Sequence, residues 1–201
     1  MNDCDFITII NGLVLDYTAE THTYKVDGKR VPSITELLTV KYGHKYDGIP
    51  EGTLKRAAEA GTKMHEAVEN FIVRQEDDGS EELRNFKFLM KQYGLKPIDS
   101  EIPVILWNEG KPFAAGRFDL LLEKDGNRGI GDLKHTATLD RDYLTDQLNL
   151  YKTAYEQSYN GTIEFLVGIH LRGEKRKLVA LPMNYKYADE IITEYKNRKK
   201  E

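Results

Sequence analysis

At 201 residues the chain has the length of one domain, or of one domain with an appended N-terminal segment, and it can bury a sizeable core. With 40% apolar and 31% charged residues it reads as a soluble cytoplasmic protein. No run approaches the roughly 18 apolar residues of a membrane span, and Met1-Asn2-Asp3-Cys4-Asp5 lacks the basic start of a signal peptide. A net charge of −4 excludes a broad basic surface for nucleic acid, and the single cysteine, Cys4, excludes an internal disulfide and a cysteine-based metal cluster.

The first elements are short. Leu13-Val14-Leu15 is an apolar run, and Asp27-Gly28 joins two β-prone stretches, Thr23-Tyr24-Lys25-Val26 and Lys29-Arg30-Val31, as a hairpin turn would. Ser33-Ile34-Thr35-Glu36 has the Ser-x-x-Glu form of a capping box, so a helix is expected from Ile34 towards Val40, followed by a loop over 42–50. Leu54, Ala57, Ala58, Gly61, Met64, His65, Val68, Phe71 and Ile72 recur at three- and four-residue steps, which predicts a longer helix with His65 at the edge of its buried stripe. An acidic exposed stretch over 75–79 follows. Ser80 then caps a helix with Leu83, Phe86, Leu89, Met90 and Tyr93 inward, ended by Gly94.

Ile102, Val104 and Leu106 alternate as in a strand. Ala115-Gly116-Arg117-Phe118-Asp119 with Leu120-Leu121-Leu122, and Gly129-Ile130-Gly131-Asp132-Leu133-Lys134, form two more strands across the turn-rich Lys124-Asp125-Gly126-Asn127-Arg128. A helix over 140–158 carries Leu144, Gln147, Leu148, Tyr151, Ala154 and Tyr155 on one face. Strands over 163–171 and 177–181 turn at Gly173, and a helix over 185–200 ends the chain with a solvated basic run. The expected architecture is α/β or α+β, with one central mixed β-sheet flanked by helices.

Asp/Glu-x-Lys occurs four times, at Asp27, Glu109, Asp132 and Glu194. The first two fall in turns and the last on a helix, where residues two apart do not face each other. Only Asp132-Leu133-Lys134 follows an apolar strand. Side chains alternate along a strand, so Ile130, Asp132 and Lys134 share one face, with Asp119 arriving from the paired strand. Two carboxylates and an ammonium suit a divalent cation held between the acids and an anionic substrate facing the lysine.

Five stretches in order resemble the PD-(D/E)xK nuclease superfamily, in its RecB/Cas4-like branch with the small phage-type exonucleases. They are Val31-Pro32-Ser33-Ile34-Thr35-Glu36-Leu37-Leu38, Ala60-Gly61-Thr62-Lys63-Met64-His65-Glu66, Ala115 to Asp119, Gly131 to Lys134, and Asp146-Gln147-Leu148-Asn149-Leu150-Tyr151. The resemblance implies a restriction-endonuclease-like core in a single nuclease domain over 1–201, with 1–50 as an N-terminal hairpin and short helix and 51–201 as the catalytic core. It implies Mg²⁺ or Mn²⁺ held by His65, Asp119, Asp132 and the Leu133 carbonyl. Lys134 would position or activate water, and Gln147 and Tyr151 would support the site. The activity implied is DNA hydrolysis, foremost by an exonuclease of phage-type recombination or replication in an infected host. A structure- or sequence-specific endonuclease, or a non-catalytic DNA-binding accessory module on the same fold, are the alternatives. Implied partners are DNA, further copies in a homo-oligomer, and a separate helicase or single-strand annealing protein; no membrane is involved. The four-cysteine iron–sulfur cluster of some relatives has no ligands here, and His135 stands where relatives often have threonine.

Overall fold

A computed structural model describes residues 4–43, 48 and 50–198. It is a mixed α+β structure of two sheets and six helices. The first sheet is an antiparallel meander of β1 (Phe6–Ile10), β2 (Leu13–Thr18), β3 (Thr23–Val26) and β4 (Lys29–Val31). The second runs in chain order through β5 (Lys96–Asn108), β6 (Lys111–Lys124), β7 (Asn127–Lys134), β8 (Phe165–Arg172) and β9 (Lys175–Leu181). Its pairs are antiparallel except β7 with β8, which run parallel. A parallel pair needs a crossover, and α5 (Arg141–Tyr159) supplies it.

Four two-residue turns set the registers. Asn11-Gly12, Asp27-Gly28, Glu109-Gly110 and Asp125-Gly126 all have positive φ at both positions, between 48° and 84°. That is the type I′ geometry whose twist matches the flanking strands. The Asp27 and Glu109 copies of the acid-x-lysine motif are therefore spent on turns.

The five-stranded sheet is covered on both faces. On one lie α5 and α6 (Tyr185–Arg198), packing Leu144, Leu148, Tyr151 and Ile191 against Val104, Phe118 and Ile130. On the other lie α3 (Glu51–Arg74) and α4 (Glu81–Tyr93), packing Met64, Val68, Phe86 and Leu89 against Leu120, Leu133 and Ile169. The N-terminal sheet packs through Leu15, Tyr17 and Tyr24 on Ile105 and Ala115. Between the sheets, α1 (Ile34–Leu37) and α2 (Thr39–Tyr42) are anchored to α5 where Lys41 Nζ and Tyr42 Oη both donate to Asp146 Oδ2, each at 2.8 Å.

Several expectations are corrected. The N-terminal strands form a sheet of their own rather than a lone hairpin beside one central sheet. Strand β1 was not foreseen because its pattern is inverted, with Ile7 and Ile9 exposed while Thr8 is half-buried. The helix expected from Ile34 is split at Leu38 into two single turns. Ser33 Oγ caps the first by accepting from Glu36 N at 2.9 Å, but the Glu36 carboxylate goes to Tyr195 Oη at 2.7 Å, so the box is half-closed. Ala57 and Ala58 are exposed on α3, whose buried residues are Met64, Ala67 and Val68, and Tyr93 faces solvent. Tyr42 belongs to α2, while positions 44–47 and 49 of the expected loop, 1–3 and 199–201 lie outside the described residues. No helix among the described residues is long and apolar enough to cross a membrane.

Candidate metal centre

The site forms where the sheet forks. The last residue pair joining β6 to β7 is Leu120 with Gly131, and beyond it the strands part. Asp119 fills the fork, and its Oδ2 accepts a 2.6 Å hydrogen bond from Leu133 N. On the other side of β6, the pairs Ser100–Leu120 and Ile102–Phe118 bracket Asp119 and Glu101 as facing residues. The strand alternation reverses across this point. Phe118 packs with α5, yet Leu120 and Leu122 pack with α3 and α4, and Leu121 is back with α5. Opposite Asp119, Glu101 has φ +55°, the left-handed region. A non-glycine residue there costs about 1–2 kcal/mol, and such strain concentrates at functional sites.

From α3, His65 completes a trio. One ligand-capable atom from each of His65, Glu101 and Asp119 lies within 4.8 Å of the others. His65 Nε2 is 3.2 Å from the Leu133 carbonyl oxygen. A carbonyl only accepts, so Nε2 carries the proton, and in the neutral ring the Nδ1 lone pair points at two carboxylates. Nδ1 stands 3.8 Å from Asp119 Oδ1 and 4.0 Å from Glu101 Oε1, too far for hydrogen bonds. A lone pair facing two carboxyl groups beyond hydrogen-bond reach is left without a partner unless a cation lies between them. An imidazole that donates its other N–H to a backbone carbonyl is the usual arrangement of a metal-bound histidine.

Glu101 is gripped from behind. Its Oε2 meets Arg117 Nε at 2.6 Å, and the guanidinium sits 5.5 and 5.6 Å from the ring centres of Phe6 and Tyr17. The N-terminal sheet thus steadies an acid of the site. Burial and then the charge of Asp119 push the Glu101 carboxyl up to about 8, against the pull of Arg117. A cation would take the place of that proton.

Asp132 and Lys134 point to the α5 side of β7, as their alternation with Leu133 requires. Lys134 Nζ is 2.5 Å from Asp132 Oδ2, yet that buried oxygen accepts no hydrogen bond of good geometry. Burial raises the Asp132 carboxyl to about 6, although Lys134 opposes the rise. Burial would lower Lys134, but Asp132 and Asp119 outweigh it and hold the ammonium at about 12.

Gln147 is buried on α5 with Oε1 unpartnered, and Tyr151 is buried on the same helix face. Gly116 makes room for Tyr151. A Cβ at Gly116 would stand 3.0 Å from Tyr151 Cε1 and 3.3 Å from Ile34 side-chain atoms. Gly116→Ala should therefore cost about 1–3 kcal/mol of stability by overpacking, read as a lower urea midpoint at unchanged m-value.

No family model matches this chain, and no curated protein matches it. Among solved structures it is similar to one titled "Crystal structure of SSO0001", at 14% identity, over 81% of this chain and 75% of that chain, with a TM-score of 0.44.

The expected set His65, Asp119, Asp132 and Leu133 is thus distributed in two parts. His65 and Asp119 come together around the Leu133 backbone, whose N–H goes to Asp119 and whose carbonyl takes His65 Nε2, so that this carbonyl lies across the ring from Nδ1 and outside the trio. Asp132 stands with Lys134 on the α5 side, close enough to Asp119 to feel its charge. Glu101 is the member that sequence reasoning missed. Its only local signal was an acid in phase with Pro103 and Ile105 at the head of an alternating strand. The donor set fits a hard divalent cation. Carboxylate oxygens suit Mg²⁺, and one imidazole admits Mn²⁺. Among buried oxygens, Gln147 Oε1 on α5 is left without a hydrogen-bond partner.

Proposed function

We propose that this chain is a metal-dependent deoxyribonuclease with a PD-(D/E)xK core, acting foremost as an exonuclease of phage-type recombination or replication. The observation that carries this reading is the His65 ring held by the carbonyl of Leu133, the residue between Asp132 and Lys134, with its Nδ1 turned to Glu101 and Asp119. His65 through Nδ1, Glu101 and Asp119 would hold the cation, with Asp132 next to them, while the Leu133 carbonyl orients the imidazole from its Nε2 side. When bound, Mg²⁺ or Mn²⁺ there supplies acidified water and positive charge opposite the phosphoryl oxygens.

The chain's own residues do the rest. Lys134, kept as an ammonium by Asp132 and Asp119, cannot take a proton from water. It donates instead, orienting water or offsetting charge on a phosphoryl oxygen. Of the two expected roles, positioning water and activating it, the first suits an ammonium. Asp132 fixes that ammonium, and Gln147, buried on α5 with its Oε1 unpartnered, would support the site from that helix.

The reading is tested on end-labelled linear DNA and closed circular DNA with Mg²⁺, Mn²⁺ or EDTA. Metal-dependent loss of the linear form alone is expected. Cleavage of the circle would make the enzyme an endonuclease, and no cleavage in either metal would remove the nuclease reading. Gln147→Leu separates support of the site from packing. Replacing an unpartnered buried amide by an apolar side chain of similar size should stabilise the fold by about 1–3 kcal/mol, yet slow cleavage. A more stable variant with full activity would take α5 out of the site.

A further inference from the structure

One half of α3 has no core to pack on. None of residues 51–60 is buried, so the first ten residues of this 24-residue helix overhang the body. Their apolar stripe faces a cavity of about 700 Å³ whose far wall is the β7–α5 connection with Tyr143 and Leu144, and Lys134 opens into it. The stripe contributes Leu54, Ala57 and Ala60.

The charge of this cavity runs against that of the chain. The chain carries −4 overall, but the lining holds Arg56 from α3, Lys134 from β7 and Arg172 from the end of β8. Arg172 lies two residues beyond His170, which is the register partner of Lys134, so both cations stand at the same end of the parallel pair. Among the described residues neither Arg56 nor Arg172 has an ion pair. The one acid of the lining, Asp140, caps α5 by accepting from Tyr143 N at 3.0 Å. An apolar floor between arginines on opposite walls suits flat apolar groups strung on phosphates. The volume is that of a small-ligand pocket, which takes successive unpaired nucleotides and not the width of a duplex.

We infer that this cavity is the subsite for an unpaired DNA strand leading to the metal centre, with bases against Leu54, Ala57 and Tyr143 and phosphates on Arg56 and Arg172. The inference rests on the nuclease reading for its choice of DNA. Single-strand binding of this kind combines stacking on apolar and aromatic faces with a basic track for the backbone.

The test is fluorescence anisotropy of the full chain with a labelled oligo-dT strand and with a blunt duplex, in EDTA and across a salt series. Wild type should bind the single strand more tightly than the duplex. Arg56→Ala with Arg172→Ala should weaken single-strand binding about tenfold and reduce the slope of log affinity on log salt by about 1.4, at roughly 0.7 per phosphate. Ala57→Trp, at an exposed position, should weaken it by filling the cavity while the melting temperature holds. Unchanged single-strand affinity in these folded variants, or a wild type that binds duplex as tightly as single strand, would overturn the inference. A Mn²⁺ cleavage assay beside it keeps the two ideas apart. Arginine-dependent strand binding without cleavage supports the subsite and removes the nuclease, whereas cleavage with arginine-independent binding removes the subsite alone.

Discussion

Asp119→Asn and Lys134→Ala should each all but abolish DNA cleavage while the protein stays folded. Asp119 belongs to the trio that faces one point, and losing a ligand forfeits several kcal/mol of transition-state stabilisation, about a thousandfold in rate. Lys134 is the ammonium nearest the acids, and loss of one preorganised charge donor costs about a hundred- to a thousandfold. The choice of asparagine matters. Asp119 Oδ2 also accepts from Leu133 N at 2.6 Å, so Asp119→Ala would orphan a buried N–H and cost a further 1–3 kcal/mol or so of stability. Asparagine keeps the acceptor and removes the charge, which lets thermal unfolding certify the fold while single-turnover assays read the chemistry. Lys29→Ala, Lys111→Ala and Lys196→Ala, from the three turn and helix copies of the motif, should cleave as wild type does. Near-normal turnover by Lys134→Ala in Mg²⁺ would mean that Asp132-Leu133-Lys134 is another such copy.

What the sequence could show was whatever local periodicity and turn chemistry determine. Three of the four type I′ turns lay within the stretches read as turns or strand junctions, and the alternation of Ile130, Asp132 and Lys134 against Leu133 followed from the period of two. The Ser80 cap and the Gly94 stop were visible because capping is a property of a few adjacent residues. What escaped was set by contacts distant in sequence. Glu101 enters the site only because β5 pairs with β6 in a register that faces it with Asp119, and because its left-handed backbone reverses the pleat there. The apolar stripe of α3 was read as buried along its whole length, but a helix can be amphipathic without a partner, and its first half overhangs a cavity. Strand β1 turns isoleucines outward, so no alternation of polarity marked it.

Glu101→Gln should be more stable than wild type without metal and less stable than wild type with it. In the metal-free protein the Glu101 carboxyl is raised from 4.5 to about 8, first by burial and then by Asp119. A group whose pKa is higher in the folded state stabilises the fold fully below its unfolded value and loses that contribution as pH rises through the folded one. Metal-free wild type should therefore lose stability between about pH 5 and pH 8, and Asp132, raised from 3.8 to about 6 by burial, adds to the lower part of that fall. Glutamine carries no charge to desolvate and can still accept from Arg117, so without metal Glu101→Gln should melt above wild type at pH 8 and level with it near pH 5. Saturating Mn²⁺ should raise the wild-type melting temperature most at pH 8, where displacing the Glu101 proton costs the metal least, and should leave the variant almost unmoved. The two curves then cross, with wild type the more stable in metal and the variant the more stable in EDTA. A purely structural Glu101–Arg117 pair predicts the opposite in EDTA, because breaking it would lower the melting temperature at pH 8. An unchanged Mn²⁺ shift in Glu101→Gln would leave His65 and Asp119 to bind the cation without the acid that the strained strand presents to them.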